Sequence, residues 1–188
     1  MLKVIYSIAT VEDISSVLAL QELYLVANLS EEEKKDGFVT TPFTVLQLQE
    51  VLEKKGLFVA KENNELIAYL FAGNWDFYKQ WPIFEYMIQL FPTLSFLEHA
   101  ITTNTSFQYG PICIHKNYRG KGIIKPLFEI MREQMSKKYS LALTFINKTN
   151  IPSTKAHTEK LDWSIIADFQ FNNNDYHILA YDMKQVVH

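Results

Sequence analysis

Residues 109–128 read Tyr109-Gly-Pro-Ile-Cys-Ile-His-Lys-Asn-Tyr-Arg-Gly-Lys-Gly-Ile-Ile-Lys-Pro-Leu-Phe128. The stretch opens as a strand, because Ile112 and Ile114 alternate with Cys113 and His115 and β-branched side chains suit a pleated surface. It closes as a helix, because Ile124, Leu127, Phe128, Met131 and Met135 fall on one face at helical spacing. Between the two lies Arg119-Gly120-Lys121-Gly122. The glycines allow a tight turn that bares backbone N–H groups, and the helix behind them turns its positive dipole end toward that turn. Such a geometry suits a phosphate, and Lys116, Arg119, Lys121 and Lys125 add positive charge.

Two well-known phosphate motifs are excluded. No Gly-Lys-Ser/Thr follows, as a nucleoside triphosphate loop requires, and Lys125 stands where a dinucleotide fold places its third glycine. The stretch instead resembles the acyl-CoA loop of the GNAT superfamily of N-acetyltransferases, whose pattern is Arg/Gln-x-x-Gly-x-Gly/Ala between the fourth strand and the next helix. Here it reads Arg119-Gly120-Lys121-Gly122-Ile123-Ile124, with Ile124 in place of the last small residue.

The 188 residues suit one domain spanning 1–188, with 48% hydrophobic and 21% charged residues, ordinary for a chain with a real core. A net charge of −3 argues against a broad nucleic-acid field. The single cysteine, Cys113, excludes a disulfide framework within the chain and favours a reducing compartment. The opening Met1-Leu2-Lys3-Val4 lacks a signal-peptide pattern, and no apolar run is long enough to span a bilayer. A soluble cytoplasmic protein, with no membrane or nucleic-acid partner, is the expectation, and a homodimer stays open.

Outward from the central stretch, Val4 to Ile8 reads as a first strand. Thr10 with Asp13, and Thr44 with Gln47, have the layout of capping boxes opening two helices. The first carries Ile14, Val17, Leu18, Leu20 and Tyr24 inward, and residues 29–36 read as a charged helix end and loop. Gly56 reads as the stop of the second helix. Residues 57–60 and 65–72 are strands joined by the turn signal Asn63-Asn64. Residues 75–106 hold Trp75, Phe77, Tyr78, Trp81, Phe84, Tyr86, Phe91 and Phe96, with Pro82 and Pro92 breaking short helical pieces. Residues 141–146 form a fifth strand, a helix follows Pro152, and residues 165–171 and 176–183 form a last hairpin across Asn172, Asn173 and Asn174.

This element order matches the family, so the resemblance implies an α/β fold of GNAT type. Its sheet is mixed and mostly antiparallel, splayed between the fourth and fifth strands, with helices on both faces. The 75–106 insertion between the third and fourth strands is a departure. The family's second hallmark is Asn-x-x-Ala/Ser, an aromatic pair ending in Tyr, then Gly-Phe. Here Asn150 and Ser153 match, His157 replaces the Tyr, and Asp162-Trp163 replaces Gly-Phe.

What the resemblance implies is direct acetyl transfer from acetyl-CoA, as co-substrate, to a primary amine of a small molecule. The pantetheine arm would pair with Ile112, Cys113, Ile114 and His115, and backbone N–H groups of Arg119, Gly120, Lys121, Gly122, Ile123 and Ile124 would hold the pyrophosphate, with Asn150 and Ser153 alongside. The backbone N–H near Ile114 would polarise the thioester carbonyl. His157 would be the general acid for the departing thiolate, given an unperturbed pKa of about 6.5. An alkylammonium with a pKa of about 10.4 costs about 4.6 kcal/mol to deprotonate at pH 7, so a base or water chain is needed. Phe107, Gln108, Tyr109 and Gly110 offer no carboxylate, so the base is unassigned, with Glu85, Glu98 and His99 as candidates. Phe38, Trp75, Tyr78, Trp81 and Phe84 would line the acceptor pocket, since aromatic walls favour small ligands. The His and Cys spacing offers no metal site, and His177 and His188 have no evident role. The alternatives are a non-catalytic acyl-CoA sensor and a protein N-terminal or lysine acetyltransferase.

Overall fold

The structure is a computed structural model that describes residues 3–187; Met1, Leu2 and His188 lie outside the described residues. In chain order the elements are β1 (Val4–Ile8), α1 (Ile14–Tyr24), α2 (Glu31–Lys34), α3 (Val45–Glu53), β2 (Leu57–Glu62), β3 (Glu65–Gly73), α4 (Trp75–Tyr78) and α5 (Pro82–Leu90). They continue with β4 (Ser106–Ile114), α6 (Ile124–Met135), β5 (Leu141–Asn147), α7 (Ile151–Lys160), β6 (Ser164–Phe171) and β7 (Asn174–Asp182). The strands form one mixed seven-stranded sheet in the order β1-β2-β3-β4-β5-β7-β6, flanked by helices. β4 and β5 run parallel and pair only over Ser106–Gln108 with Leu141–Leu143 among the described residues.

Two compact units share the chain: Met1–Ala72 with Gly110–Gln134, and Gly73–Tyr109 with Met135–His188. Their boundaries fall inside β3, β4 and α6 and not in linkers.

In the first unit both capping boxes form, Thr10 with Asp13 and Thr44 with Gln47. α1 buries Ile14, Val17, Leu20 and Tyr24, while Leu18 is only half-buried. Gln21 is buried too, because its amide clasps Phe43, accepting from N at 2.8 Å and donating to O at 3.1 Å. The charged run that reads as a loop contains α2, capped by Ser30. Asn63 and Asn64 take φ of 50° and 67°, as the β2–β3 turn demands.

α3 stops just before Gly56, as expected, and the Gly56 N–H closes it by donating to Val51 O at 2.9 Å. Lys55 takes the left-handed conformation (φ 54°). Gly56 is required by close approach, since a Cβ there would lie 2.1 Å from the carbonyl oxygen of Ala72.

In the second unit, Pro82 starts α5 at its first turn and so separates it from α4, and Pro92 lies in the short 91–93 turn that follows α5. Five of the eight aromatics of 75–106 turn inward, while Trp81 and Phe96 are half-buried and Tyr86 is exposed. Trp75, Phe77, Tyr78, Phe84 and Phe91 are all at most 5% exposed. Trp75 Nε1 donates to Ser106 Oγ at 3.1 Å, and Phe84 stacks 5.1 Å from Phe145 of β5. β4 begins at Ser106 and runs through Gly110 and Pro111 to Ile114.

Candidate active site

The 119–124 turn is formed as its glycines require. Gly120 and Gly122 take φ of 74° and 81°, a region that strains any side chain. Both are exposed, and a Cβ built on either meets nothing within 4 Å. The turn is therefore open where backbone N–H groups can meet a ligand. α6 follows at once, anchored by Ile123, Leu127, Phe128 and Met131, each at most 3% exposed. That burial fixes the helix's positive end behind the turn, an arrangement that suits an anion on the turn's N–H groups.

The strand leading into this turn presents a usable edge. His115 N–H donates to Ile67 O of β3 at 2.9 Å. Ladder donors alternate along a strand, so the N–H groups of Ile114 and Ile112 point to the opposite edge. That is the edge an extended ligand would add to. Cys113 faces the interior at 4% exposure, and burial pushes its thiol up to about 12, so it is not a nucleophile at neutral pH. His115 Nδ1 accepts from Asn117 N at 3.3 Å and caps the short turn before Arg119. Lys121 Nζ sits 5.4 Å over the Tyr118 ring.

The Arg119 side chain is held by two backbone carbonyls and a ring. Its Nε donates to Ile114 O at 2.9 Å, its Nη1 to Asp36 O at 2.5 Å, and its guanidinium carbon stands 4.5 Å from the Tyr24 ring centre. Phe38, two residues after Asp36, is half-buried in the same unit.

The second unit holds a buried polar chain. Asn150 caps α7 by accepting from Ser153 N at 3.3 Å. One turn later the Ser153 carbonyl meets His157 Nδ1 at 2.7 Å, and His157 Nε2 lies 3.2 Å from the Tyr109 hydroxyl. A carbonyl only accepts, so Nδ1 carries the proton and Nε2 must accept from Tyr109. His157 is 3% exposed, and burial lowers its pKa to about 4 against the weaker opposing pull of Ser153. The imidazolium acid expected from an unperturbed histidine is thus not what this site holds at pH 7. His157 is neutral, and the proton within the pair sits on Tyr109, whose own pKa burial raises. Sequence reasoning does not single out Tyr109, because its place in a strand rich in apolar residues carries no signal for a proton-bearing role.

Trp75, Tyr78 and Phe84 are spent on packing, each at most 2% exposed, which leaves them no surface to offer a ligand. Trp81 alone of the expected wall residues in this segment is half-buried, with its ring 5.6 Å from Phe77 and 6.0 Å from both Tyr78 and Phe84. β4 carries no carboxylate; Gln108 is buried and its amide donates to Tyr109 O at 2.7 Å. Glu85 and Glu98 are exposed, and His99 is half-buried. His177 instead bonds Asp168 at 2.6 Å, which Lys148 also holds at 2.7 Å, and these two partners lower the Asp168 pKa. Among the described residues no group of three or more His, Cys, Asp or Glu could hold a metal, and no helix is long and apolar enough to cross a membrane.

Residues 20–163 match the profile described as the Acetyltransferase (GNAT) family. A search of curated proteins finds no match. Solved structures with the same fold include an N-acetyltransferase from Staphylococcus aureus Mu50, 17% identical over 96% of this chain and 99% of that one, with a TM-score of 0.62. A putative acetyltransferase from Salmonella typhimurium, solved with its cofactor acetyl-CoA, is 11% identical over 96% and 94% at a TM-score of 0.63. A ribosomal-protein-alanine N-acetyltransferase from Brucella melitensis is 14% identical over 95% and 99% at 0.61.

Proposed function

Since the chain belongs to the GNAT acetyltransferase family, we propose that it moves the acetyl group of acetyl-CoA directly to a primary amine of a small molecule. The observation that carries this reading is the open Gly120–Gly122 turn in front of a well-anchored helix, next to a strand whose Ile112 and Ile114 N–H groups point to the edge away from β3. The turn would take the pyrophosphate on backbone N–H groups. The strand edge would take the pantetheine arm, and the Ile114 N–H the thioester oxygen as negative charge develops there. Holding both reactants side by side supplies much of the rate.

The chemistry of the leaving thiol asks little of the protein. A thiol pKa of about 8.5 lets the thiolate depart with modest help. His157 enters as the neutral partner that fixes the Tyr109 hydroxyl, and that hydroxyl is the proton-bearing group of the pair. The amine must lose its own proton by way of a base or water chain. Phe38 and Trp81, the two expected acceptor contacts that keep accessible surface, are our candidates for meeting the acceptor.

The test is release of free thiol from acetyl-CoA with a panel of small primary amines, beside peptides offering a free N-terminus or lysine. Acetyl-CoA binding is measured separately without acceptor. Amine-dependent release with small amines supports the proposal. Release only with peptides redirects it to a protein acceptor, and binding without release from any amine makes the chain a sensor.

A further inference from the structure

Arg119 opens the phosphate turn, yet its side chain is used elsewhere. The guanidinium holds the Ile114 carbonyl through Nε and the Asp36 carbonyl through Nη1, and it lies close enough to Tyr24 for a cation–π contact at 4.5 Å. Tyr24 is buried, and its hydroxyl accepts the Lys116 N–H at 2.8 Å. An arginine clamps phosphate with the same planar fork. With Nε–H and one Nη1–H given to carbonyls and its face on the Tyr24 ring, a two-point grip on phosphate through either of these nitrogens would compete with contacts already made.

Asp36 lies in the segment between α1 and α3. Its base is closed by the Leu25–Val39 bridge, with Val26 N–H bonded to Val39 O at 2.8 Å and Val39 N–H to Tyr24 O at 2.8 Å. The middle of the segment satisfies itself: Ser30 with Glu33, Lys34 with Glu31, Lys35 with Glu32. Arg119 reaches its far end, two residues before Phe38. One side chain therefore joins the strand end that carries Ile114, the first residue of the turn, and the segment that carries Phe38.

We propose that Arg119 is a positioning residue that couples the cofactor turn to the 25–39 segment, and not a phosphate ligand. This rests on the acetyl-CoA reading above. The turn is built on two exposed glycines whose Cβ positions meet open space. A phosphate on its backbone N–H groups orders it, and Arg119 passes that order to Asp36 and Phe38. Cofactor binding at the turn then steadies the segment that carries Phe38.

Amide hydrogen exchange and kinetics on wild type, Arg119→Ala and Arg119→Lys test this. In wild type, CoA slows exchange over residues 29–38 tenfold or more. In either variant those amides exchange at least tenfold faster without ligand, and CoA no longer slows them. The acetyl-CoA dissociation constant stays within threefold of wild type while the acceptor KM rises tenfold or more. Lysine does not rescue, because it has the charge but no fork. A tenfold or greater loss of CoA affinity with unchanged exchange over 29–38 would make Arg119 a phosphate ligand and overturn the proposal. If wild type binds no CoA, the acetyl-CoA reading fails by itself, and unchanged exchange in the free variants still overturns the clamp.

Discussion

His157 makes stability depend on pH in a way that can be worked out in advance. Its folded pKa is lowered from the unperturbed 6.5 to about 4, first by burial, because no counter-charge accompanies it. The unfolded chain therefore takes up a proton below pH 6.5 that the native protein refuses until about pH 4. Stability attributable to this group is fully present above pH 6.5 and is lost as pH falls from there toward 4. Between pH 7 and pH 4.5 the loss is ~2 kcal/mol, because a tenfold change in proton affinity is worth about 1.4 kcal/mol and most of the interval between the two pKa values is crossed. Urea unfolding of wild type and His157→Gln at several pH values isolates it. Glutamine removes the titration, so the variant's stability should fall by ~2 kcal/mol less over that window, whatever its value at pH 7. A nitrogen-15 spectrum of the native protein at pH 7 should show the Nδ1–H tautomer. Parallel stability profiles, or an imidazolium signal at pH 6, would refute the neutral His157–Tyr109 pair.

Other substitutions separate packing from function. Gly56→Ala places a Cβ against the Ala72 carbonyl, a backbone atom that cannot swing aside; it should cost about 3 kcal/mol and lower Tm by roughly 6–12 °C in a scanning calorimeter. Trp75→Ala should destabilise by about 3–5 kcal/mol in denaturant, as a fully packed ring does. Trp81→Ala should instead shift acceptor KM or selectivity and leave acetyl-CoA affinity alone; an unchanged acceptor profile would make Trp81 a packing residue like its neighbours.

The parts of the fold written in local signals are legible in the sequence. The two capping boxes, the Asn63-Asn64 and Asn172-Asn173 turns with their positive φ, and the apolar face of α6 all follow from short-range rules, and each forms. The conformation of the 119–124 turn is legible for the same reason, since two glycines and a helix start sit within six residues. What is not legible depends on partners distant in sequence. The role of Gly56 is set by Ala72, the clasp of Gln21 by Phe43, and the neutral state of His157 by burial beside Tyr109. Arg119 reads as a source of charge beside glycines; that its Nη1 also reaches the Asp36 carbonyl, 83 residues away, has no local signal. The aromatics of 75–106 read as pocket walls, but composition does not say which face of a ring is already covered.

If the 119–124 turn holds the pyrophosphate of acetyl-CoA on backbone N–H groups, both the turn and the pyrophosphate should be needed for tight binding. Calorimetric titration of wild type and Gly122→Ala with acetyl-CoA, and of wild type with S-acetyl-pantetheine, tests this most directly. Alanine at φ 81° costs about 1–2 kcal/mol of backbone strain and disturbs the donors. Wild type should bind acetyl-CoA, and Gly122→Ala should bind it at least tenfold more weakly while remaining folded. The thioester without its pyrophosphate should bind wild type at least a hundredfold more weakly. Equal affinity of wild type for acetyl-CoA and S-acetyl-pantetheine would contradict a pyrophosphate site at this turn.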